Sequence, residues 1–394
     1  MKNKVCMYLP PFAGDYSGVA STLFDLGGMI CIHDAAGCTG NYTHFDEPRW
    51  YGSESMVYCT GLRKMEAILG DEEKFINRII NNAMEKKPEF IAIVGSPVPN
   101  VIGFDFKGVA NAIGKRTNIP TFGFATAGIK GSYKDGIVMA ARELMDHYRR
   151  YPAEGTVNKA KKLAAVPGIS PLDMPQDIYE KLQRLTKDLG LTLIQKSGDY
   201  GSLDFYKHPE NVNINIVLNQ AGYEIAAYMK EEYGIPFVTG FPIGAELINE
   251  YKKCVNDVLA GNCRRDYIEE TNEVLDSTCK GLVIADGVTG ISVRKYLRSL
   301  GAEVKVGVIS GDFRDTVNLN NEDLILEEVS KDYDFVIADP LILELVPDKT
   351  AKISLPHYAV SSRVGKNENW DYLDEKNWIE RLGSVVNKAV KKPA

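Results

Sequence analysis

The first feature that could do chemistry is a cysteine in a glycine-containing loop. An apolar, strand-like segment at 29–32 runs into residues 33–40, which read HDAAGCTG. A loop after a parallel strand lies at the sheet edge where α/β proteins bind ligands, and Gly37 and Gly40 leave backbone N–H groups accessible. A thiolate at Cys38 could hold iron, because iron–sulfur clusters take cysteine ligands. The alternative is a half-buried structural thiol in a tight turn, and the residues alone leave both interpretations open.

Cysteine usage favours free thiols over disulfides. The seven cysteines are an odd number in a long chain without a visible export signal, so a disulfide framework is not expected. No C-x-x-C pair occurs, which argues against zinc ribbons and thioredoxin-like redox sites. Four of the seven lie within the first 59 residues, where reduced thiols could be core residues or metal ligands.

Other common catalytic motifs are absent from the sequence. It contains no G-x-x-x-x-G-K-[ST] loop, so we do not expect this chain to hydrolyse ATP itself. It also contains no H-E-x-x-H and no G-x-S-x-G, which disfavours a catalytic zinc site and a serine hydrolase. After the apolar run at 281–285, only Gly287 and Gly290 stand where a dinucleotide fingerprint needs three glycines. We therefore predict a tight strand–helix connection there and no NAD site.

The elements that must position these residues alternate between short apolar strands and amphipathic helices. The predicted strands are Met29–His33, Phe90–Gly95, Thr121–Ala125, Asn213–Leu218, Pro236–Thr239, Leu282–Ala285, Val304–Ile309 and Phe335–Ala338. The predicted helices are Glu72–Lys86, Gly136–Arg150, Gln220–Tyr233, Ala245–Leu259 and Ser292–Leu300. Strands that are apolar on both faces are typical of parallel sheets covered by helices. The pattern predicts an α/β protein built from doubly wound domains with mostly parallel sheets.

Two boundaries divide the chain. Proline and glycine punctuate residues 151–175, and near residue 280 a helix ends and a new strand begins. We therefore expect three Rossmann-like domains, at residues 1–155, 156–279 and 280–394, the last with a C-terminal return segment. A length of 394 residues fits two or three domains of ordinary size.

Charge and hydropathy exclude two classes of partner. The net charge is −7, whereas binding to phosphate backbones or anionic lipid needs a basic face. No apolar run approaches the ~18 residues of a membrane span. The N-terminus lacks the apolar stretch and cleavage site of a signal peptide. We expect a cytoplasmic protein that binds neither nucleic acid nor membrane.

Several segments resemble a known family. Residues 25–38 read DLGGMICIHDAAGC and resemble the segment of nitrogenase component 1 subunits that ends in a P-cluster cysteine, with His33 and Cys38 at the family's spacing. The aromatic run at 42–45 is similar to the one that follows this cysteine in the β-type subunit. Residues 55–64, 95–105, 120–131 and 280–301 resemble further family segments in the same order. The chain is similar to a short member of the nitrogenase component 1 type oxidoreductases.

The resemblance implies a redox protein of three Rossmann-like domains. Members form homodimers or heterodimers, carry an iron–sulfur cluster near the subunit interface, and receive low-potential electrons from a separate ATP-hydrolysing iron protein. Carried over to this chain, the resemblance makes Cys38 a cluster ligand. The residues expected around it are Gly37, Asp34, Thr39 and Ser96. Substrate would bind between the domains, and a histidine would donate a proton there. The expected pocket residues are His33, Gln220, Tyr223 and His357.

The chain departs from the family pattern at the ligand positions. The family has three cysteines per subunit, but Pro10 and Ser96 stand at the first and third positions. An eight-iron P-cluster is therefore not expected, and two copies of Cys38 across a two-fold axis supply only half of the usual ligand set of a 4Fe-4S cluster. Cys59 is the best second candidate, although it could equally be a core thiol at a strand end. The remaining candidates are Cys6, Cys31, Asp15, Ser96 and a cysteine-bearing partner subunit.

Three functions stay open on this evidence. The first is a reductase subunit that acts on a small molecule or a tetrapyrrole, and the His33–Cys38 spacing favours it. Dinitrogen is not the expected substrate, because the segment that matches the cofactor cysteine, at 218–223, reads LNQAGY. The second is a non-catalytic scaffold for metal-cofactor or tetrapyrrole assembly, which the missing cysteines favour. The third is an α/β sensor without metal.

Overall fold

The computed structural model describes residues 6–154, 162–175, 178–194, 201–262, 266–269, 279–364 and 371–383. Within these ranges every strand pair is parallel, and the strands form three separate sheets. The strands are β1 (Met29–Ile32), β2 (Met56–Cys59), β3 (Ile91–Val94), β4 (Thr121–Phe124), β5 (Leu163–Ala165), β6 (Thr192–Leu193), β7 (Val212–Val217), β8 (Phe237–Thr239), β9 (Lys280–Ala285), β10 (Glu303–Val308), β11 (Val317–Asn318), β12 (Phe335–Ala338) and β13 (Ala351–Ser354).

Helices connect the strands and cover the sheets. They are α1 (Asp15–Leu23), α2 (Gly37–Asn41), α3 (Lys64–Leu69), α4 (Glu72–Lys86), α5 (Pro97–Val101), α6 (Phe106–Thr117), α7 (Tyr133–Arg150), α8 (Ile178–Lys187), α9 (Leu203–Lys207), α10 (Gln220–Tyr233), α11 (Ala245–Leu259), α12 (Gly287–Ser299), α13 (Glu322–Val329), α14 (Pro340–Leu343), α15 (Tyr358–Ser361) and α16 (Glu375–Leu382). No helix of these described ranges is long and apolar enough to cross a membrane.

The three sheets use consecutive stretches of the chain. Their strand orders are β2-β1-β3-β4, β6-β5-β7-β8 and β11-β10-β9-β12-β13. All eight predicted strands occur with ends shifted by at most two residues, and β1, β3 and β12 are buried along their whole length. The predicted α/β fold with parallel, doubly wound sheets is confirmed. The domain boundaries stay a prediction, since the segments at 155–161 and 270–278 lie outside the described residues.

The strands that the pattern missed are short or partly exposed. In β2 only Val57 is buried, and β13 has a single buried residue, Ile353. β5 is central in its sheet but has only three residues. Such short or half-exposed segments give little signal of their own, so pairing with neighbouring strands defines them.

Close helix packing places two tyrosines at the carboxyl ends of the strands. α1 and α7 cross so tightly that a Cβ built on Gly18 would lie 1.9 Å from the Tyr133 carbonyl oxygen. A Cβ on Gly136 would lie 1.9 Å from the Asp15 carbonyl oxygen. Only glycine permits this backbone contact. It fixes the first turns of both helices, which carry Tyr16 and Tyr133.

Two segments outside the sheets connect the first and third sheets of the described structure. After β13, a return segment at 355–364 leads back to the first sheet, where Ala359 accepts a hydrogen bond from Ala13 N (2.9 Å) and donates one to Leu172 O (2.7 Å). Near the N-terminus, three consecutive backbone N–H groups, at residues 7–9, donate to the carboxylate of Glu322 on α13. The site described next is built at these crossings.

Candidate functional site

Asp34 organises the loop that follows β1. Its carboxylate accepts hydrogen bonds from Ala36 N (3.0 Å) and Thr39 N (3.1 Å), and the Thr39 hydroxyl lies 3.4 Å away. These bonds hold a turn in which Ala36 has φ +113°, a left-handed value that is unusual for a residue with a side chain. The turn starts α2, so Asp34 fixes the backbone on which Cys38 stands.

Ser96 belongs to the same network and is fully buried. Its hydroxyl donates to the His33 carbonyl oxygen at 2.8 Å and lies 3.4 Å from Asp34 Oδ1. It follows β3, the neighbour of β1 in the sheet. Ser96 therefore ties two strand ends together, and its oxygen is already engaged within the chain.

Cys38 lies half-buried in α2. Burial, followed by the nearby Asp34 charge, raises the pKa of its thiol to about 11, although a hydrogen bond with Tyr16 works against this shift. The thiol is therefore protonated near neutral pH, and binding a metal would release its proton. Tyr16 in turn belongs to a hydrogen-bond network, because Asn41 Nδ2 donates to the Tyr16 hydroxyl (3.2 Å) and to the carboxylate of Asp46 (3.0 Å).

Cys59 lies at the same sheet edge and is exposed. It ends β2, where it pairs with Ile32 of β1, and its Sγ lies 3.5 Å from the Asp34 carbonyl oxygen. Gly61 N donates to the same sulfur at 3.4 Å. Cys59 therefore contacts the turn that carries Cys38, and the alternative of a buried core thiol is wrong because the side chain is exposed. Its role as a second metal ligand stays a prediction.

The other cluster-ligand candidates have different roles. Cys31 is buried in β1, and burial raises its pKa to about 12. The Asp15 carboxylate accepts hydrogen bonds from three backbone N–H groups, those of Tyr16, Ala127 and Gly128. Across the described ranges no group of three or more His, Cys, Asp and Glu side chains could hold a metal ion. The thiols of one chain therefore do not fit a four-iron cluster, and such a cluster would need a second chain.

His33 faces away from the cysteine turn. Its Nδ1 makes a hydrogen bond with the Thr60 hydroxyl at 2.8 Å, and its ring packs on Phe75 and Phe104 at centroid distances of 4.7 and 4.3 Å. Burial and the positive charge of Arg78 lower its pKa to about 4, so the imidazole is neutral near pH 7. No hydrogen bond or ring contact in the described structure joins His33 to Gln220, Tyr223 or His357.

Gln220 lies where the second and third sheets meet. It starts α10, and its backbone N–H donates to the carboxylate of Asp286 at 2.9 Å. In return, the Gln220 Oε1 accepts a hydrogen bond from Gly287 N at 3.0 Å. These reciprocal hydrogen bonds join the N-termini of α10 and α12, and the side chain of Gln220 makes one of them. Burial raises the pKa of Asp286 to about 6.

Tyr223 stands one turn later on α10, in an aromatic cluster. Its ring packs edge-on against Phe237 (5.6 Å) and Phe313 (5.4 Å). The Arg314 guanidinium lies 5.4 Å from the centre of the same ring. Tyr223 therefore contributes to packing between the second and third sheets.

His357 lies in the return segment, where all three sheets converge. Its Nε2 is 3.2 Å from the Tyr133 hydroxyl, and its backbone N–H donates to the Asp339 carboxylate at 2.8 Å. Burial lowers the pKa of His357 to about 4. Its Nδ1 is buried and has no hydrogen-bond partner in the described structure. This position is compatible with the pocket role expected for His357, which stays a prediction.

Sequence reasoning missed two residues of this junction, Tyr133 and Asp173. The Asp173 Oδ2 accepts a hydrogen bond from Asn219 Nδ2 at 2.7 Å, whereas its Oδ1 is buried without a partner in the described structure. Burial and the neighbouring Asp286 raise the pKa of Asp173 well above its usual range. Asp173 stands in a proline-rich connection without a motif, so no local signal pointed to it.

The chain is similar in sequence to two kinds of known protein. The nitrogenase iron-molybdenum cofactor biosynthesis protein NifE of Clostridium pasteurianum is 22% identical over 327 residues, which cover 77% of this chain and 70% of that protein. One of the subunits of the light-independent protochlorophyllide reductase of Angiopteris evecta is 24% identical over 209 residues, which cover 48% of this chain and only 39% of that protein. The chain thus matches about two fifths of the length of that reductase polypeptide.

The solved structure of nitrogenase Cp1 at pH 6.5 has the same fold. It aligns with a TM-score of 0.65 and 16% identity, covering 100% of this chain and 96% of that chain. Nitrogenase Cp1 at pH 5 aligns with a TM-score of 0.64 and 15% identity. Residues 16–348, which are most of the sequence, match the family of the nitrogenase component 1 type oxidoreductases. The expectation from residues 25–38 is confirmed, and the chain belongs to this family.

Proposed function

We propose that this chain is a subunit of a cytoplasmic nitrogenase-like redox protein in which Cys38 binds a 4Fe-4S cluster shared between two subunits. The observation that carries the proposal is the position of Cys38. The thiol is half-buried at the carboxyl edge of a parallel sheet, on a turn that Asp34 holds through backbone hydrogen bonds. A turn fixed in this way can hold a ligand at a defined position without rearrangement.

The ligand count favours a shared cluster. A four-iron cluster usually takes four cysteines, and this edge offers Cys38 and Cys59 in one chain. Two copies around a two-fold axis would supply four thiols, and a cysteine-bearing second component 1-like subunit would supply the remainder in a heterodimer. The other described residues at this edge have no spare thiol, because Ser96 stands at the end of β3 with its hydroxyl engaged.

The groups around Cys38 favour its sulfur as a ligand of the cluster. When bound, the cluster would supply one-electron transfer. The Tyr16 hydroxyl, which accepts a hydrogen bond from Asn41 Nδ2, can in turn donate one to this sulfur and so lower the pKa of Cys38. Such a bond stabilises negative charge on a cysteine sulfur and orients it. Thr39 and Asp34 keep the backbone of the turn in place.

Exposed apolar side chains near this edge support a protein partner. On α3, Met65, Ile68 and Leu69 are each more than 60% exposed, and on α5 Val101 is 81% exposed. Large exposed apolar patches mark interaction surfaces. By analogy with the family, the partners would be the second subunit and an ATP-hydrolysing iron protein that delivers low-potential electrons.

The convergence of the three sheets is the proposed substrate region. It holds the neutral imidazole of His357, with an unpartnered Nδ1, and the buried carboxyl group of Asp173, whose pKa burial raises well above its usual range. Together with the Tyr133 hydroxyl, these groups can donate or accept protons next to a reduced substrate. The substrate class stays a small molecule or a tetrapyrrole, with dinitrogen not expected.

A scaffold role is the second candidate. The relative aligned over the larger part of both chains is named as a cofactor biosynthesis protein, NifE. The engaged hydroxyl of Ser96, in place of a third cysteine, also fits a protein that holds a metal cofactor without turning over substrate. Reduction of a substrate by this chain together with a cognate iron protein would exclude the scaffold role.

Iron and acid-labile sulfide per chain test the proposal directly. We expect about two irons and two sulfides per chain after anaerobic purification, because two chains share one four-iron cluster. Cys38→Ala should lose both together with the visible absorbance, and Cys59→Ala should reduce them. Cys254→Ala, which changes a half-buried thiol on α11, is the matched control and should keep them. A wild-type chain that cannot be loaded by reconstitution, or a Cys38→Ala variant that keeps its cluster, would overturn the proposal.

A further inference from the structure

A second site lies on the other side of His33, between α3 and α4. The structure contains a cavity of about 210 Å³ there. Its apolar walls are formed by Leu62, Phe75, Ile102 and Phe104. An apolar cavity of ~150 Å³ holds benzene in an engineered protein, so this volume admits a single ring with a short substituent.

The walls are preorganised aromatic surfaces. Phe75 and Phe104 pack edge-on at 5.4 Å, and His33 packs against both. Phe75 is 4% exposed and His33 is 3% exposed, so these rings keep their positions without a ligand. A flat apolar body can therefore enter without reorganising the wall.

An unpartnered imidazole nitrogen lies at this cavity. His33 Nδ1 is bound to the Thr60 hydroxyl, whereas Nε2 has no hydrogen-bond partner in the described chain. When Nδ1–H donates to the Thr60 oxygen, Nε2 becomes an acceptor. A buried side chain with a free acceptor in a cavity indicates a ligand that donates a hydrogen bond.

The charges of the lining select the sign of that ligand. Three carboxylates, Glu66, Asp71 and Glu72, face one guanidinium, Arg78, and His33 is neutral. Glu66 pairs with Lys74 at 3.2 Å and with Arg78 at 3.7 Å, so the three carboxylates and these two cations leave one net negative charge beside the cavity. Aromatic faces attract cations as well. An anion of the same size would be repelled.

α3 forms one wall of the cavity, which is partly open to solvent. None of its residues is buried, and Gly61 and Gly70 flank it with φ values of +64° and +67°. Glu66 joins this helix to α4 through Lys74 and Arg78. A ligand can therefore reach the cavity without displacing α3.

We propose that this cavity binds a small organic cation with a single-ring apolar body and a protonated amine. The amine would donate to His33 Nε2 and face the carboxylate of Glu72, while the ring packs on Phe75 and Phe104. The site is independent of the proposed cluster. His33 precedes Asp34, so a bound ligand would contact the base of the loop that carries Cys38.

Three probes of equal size test the charge selection. We would titrate the full-length protein with benzylammonium, benzyl alcohol and benzoate at pH 7 by isothermal calorimetry. Benzylammonium should bind most tightly, benzyl alcohol several-fold more weakly, and benzoate should give no saturable signal. Equal binding of benzoate, or no binding of any probe, would overturn the proposal.

Two substitutions locate the binding. Ala67→Phe fills the cavity from α3, a helix without buried residues, and should abolish benzylammonium binding. Glu72→Gln removes one carboxylate and should weaken benzylammonium ~2- to 5-fold, the size of a partly exposed charge pair, while leaving benzyl alcohol unchanged. Glu85→Gln, on the same helix away from the cavity, is the control. Wild-type affinity in both Ala67→Phe and Glu72→Gln would place the binding elsewhere and refute the site.

Discussion

The segment that follows the Cys38 helix is anchored by a buried ion pair, and breaking it should be costly. Arg49 makes two parallel hydrogen bonds to Glu47, from Nε and Nη2, each 2.7 Å long. Its Nη1 also contacts Asp25 at 2.6 Å. The Glu47 side chain is 0% exposed and that of Arg49 only 10%. The Tyr42 hydroxyl completes the site by donating to Glu47 Oε2 at 2.9 Å.

Arg49→Met leaves the Glu47 carboxylate buried without its cation. Removing one partner of a buried pair typically costs ~3–5 kcal/mol, so we expect a loss of that size in the free energy of unfolding. The matched control is Arg116→Met, which breaks a pair with Glu73 whose side chains are 43% and 60% exposed. Exposed pairs contribute only ~0.2–1 kcal/mol. Adding Glu47→Gln to Arg49→Met should recover most of the loss, because the fully buried charge is then removed and only the part-exposed Asp25 has lost a partner.

The assay is urea denaturation followed by tryptophan fluorescence. One of the three tryptophans, the half-buried Trp50, adjoins Arg49 in the chain. The transition it reports should shift strongly in Arg49→Met and little in Arg116→Met. If the two variants lose the same free energy, to within ~1 kcal/mol, the pair is no more important than a surface contact. The reasoning from burial would then be refuted.

Three further changes should separate local packing and protonation effects. Gly18→Ala should lower the thermal midpoint strongly because its Cβ would lie 1.9 Å from the Tyr133 carbonyl oxygen, whereas Gly37→Ala, with nothing within 4 Å, should not. Burial raises the pKa of Asp46 to about 6, so its contribution is present below the unfolded pKa near 4 and lost as pH rises through 6. In urea titrations, the stability of Asp46→Asn relative to wild type should therefore be higher at pH 8 than at pH 4. Three backbone hydrogen bonds lower the pKa of Glu322, so its hold on the N-terminal segment should be lost as pH falls below the usual glutamate range. Glu322→Gln should expose that segment to limited proteolysis at pH 7.

The core of the fold could be predicted because its strands are apolar on both faces. β1, β3 and β12 each consist of four buried residues, and such short apolar runs can be recognised from the sequence alone. The helices Glu72–Lys86 and Gln220–Tyr233 have the predicted ends, because Asp71 and Asn219 cap them with side-chain hydrogen bonds. The edge strands β2 and β13 could not be predicted, since their pairing depends on a neighbour.

The candidate site was only partly visible in the sequence. The order of Asp34, Gly37 and Cys38 after an apolar strand indicated the sheet edge, and the structure places them there. Gln220 and Tyr223 were expected in a pocket, but their side chains hold α10 against the third sheet. His33 and His357 were grouped together, whereas the structure gives them separate surroundings.

The sequence by itself determined the family, the parallel sheets and the position of Cys38 at a strand end. These properties depend on runs of neighbouring residues, and such runs are legible in a linear sequence. Only the tertiary structure decided that the Ser96 hydroxyl is engaged, that Cys59 contacts the Asp34 carbonyl, and that Asp173 is a buried acid with a raised pKa. Burial and pKa depend on which distant segments pack around a group, so those properties could only be obtained once the sheets had been placed together.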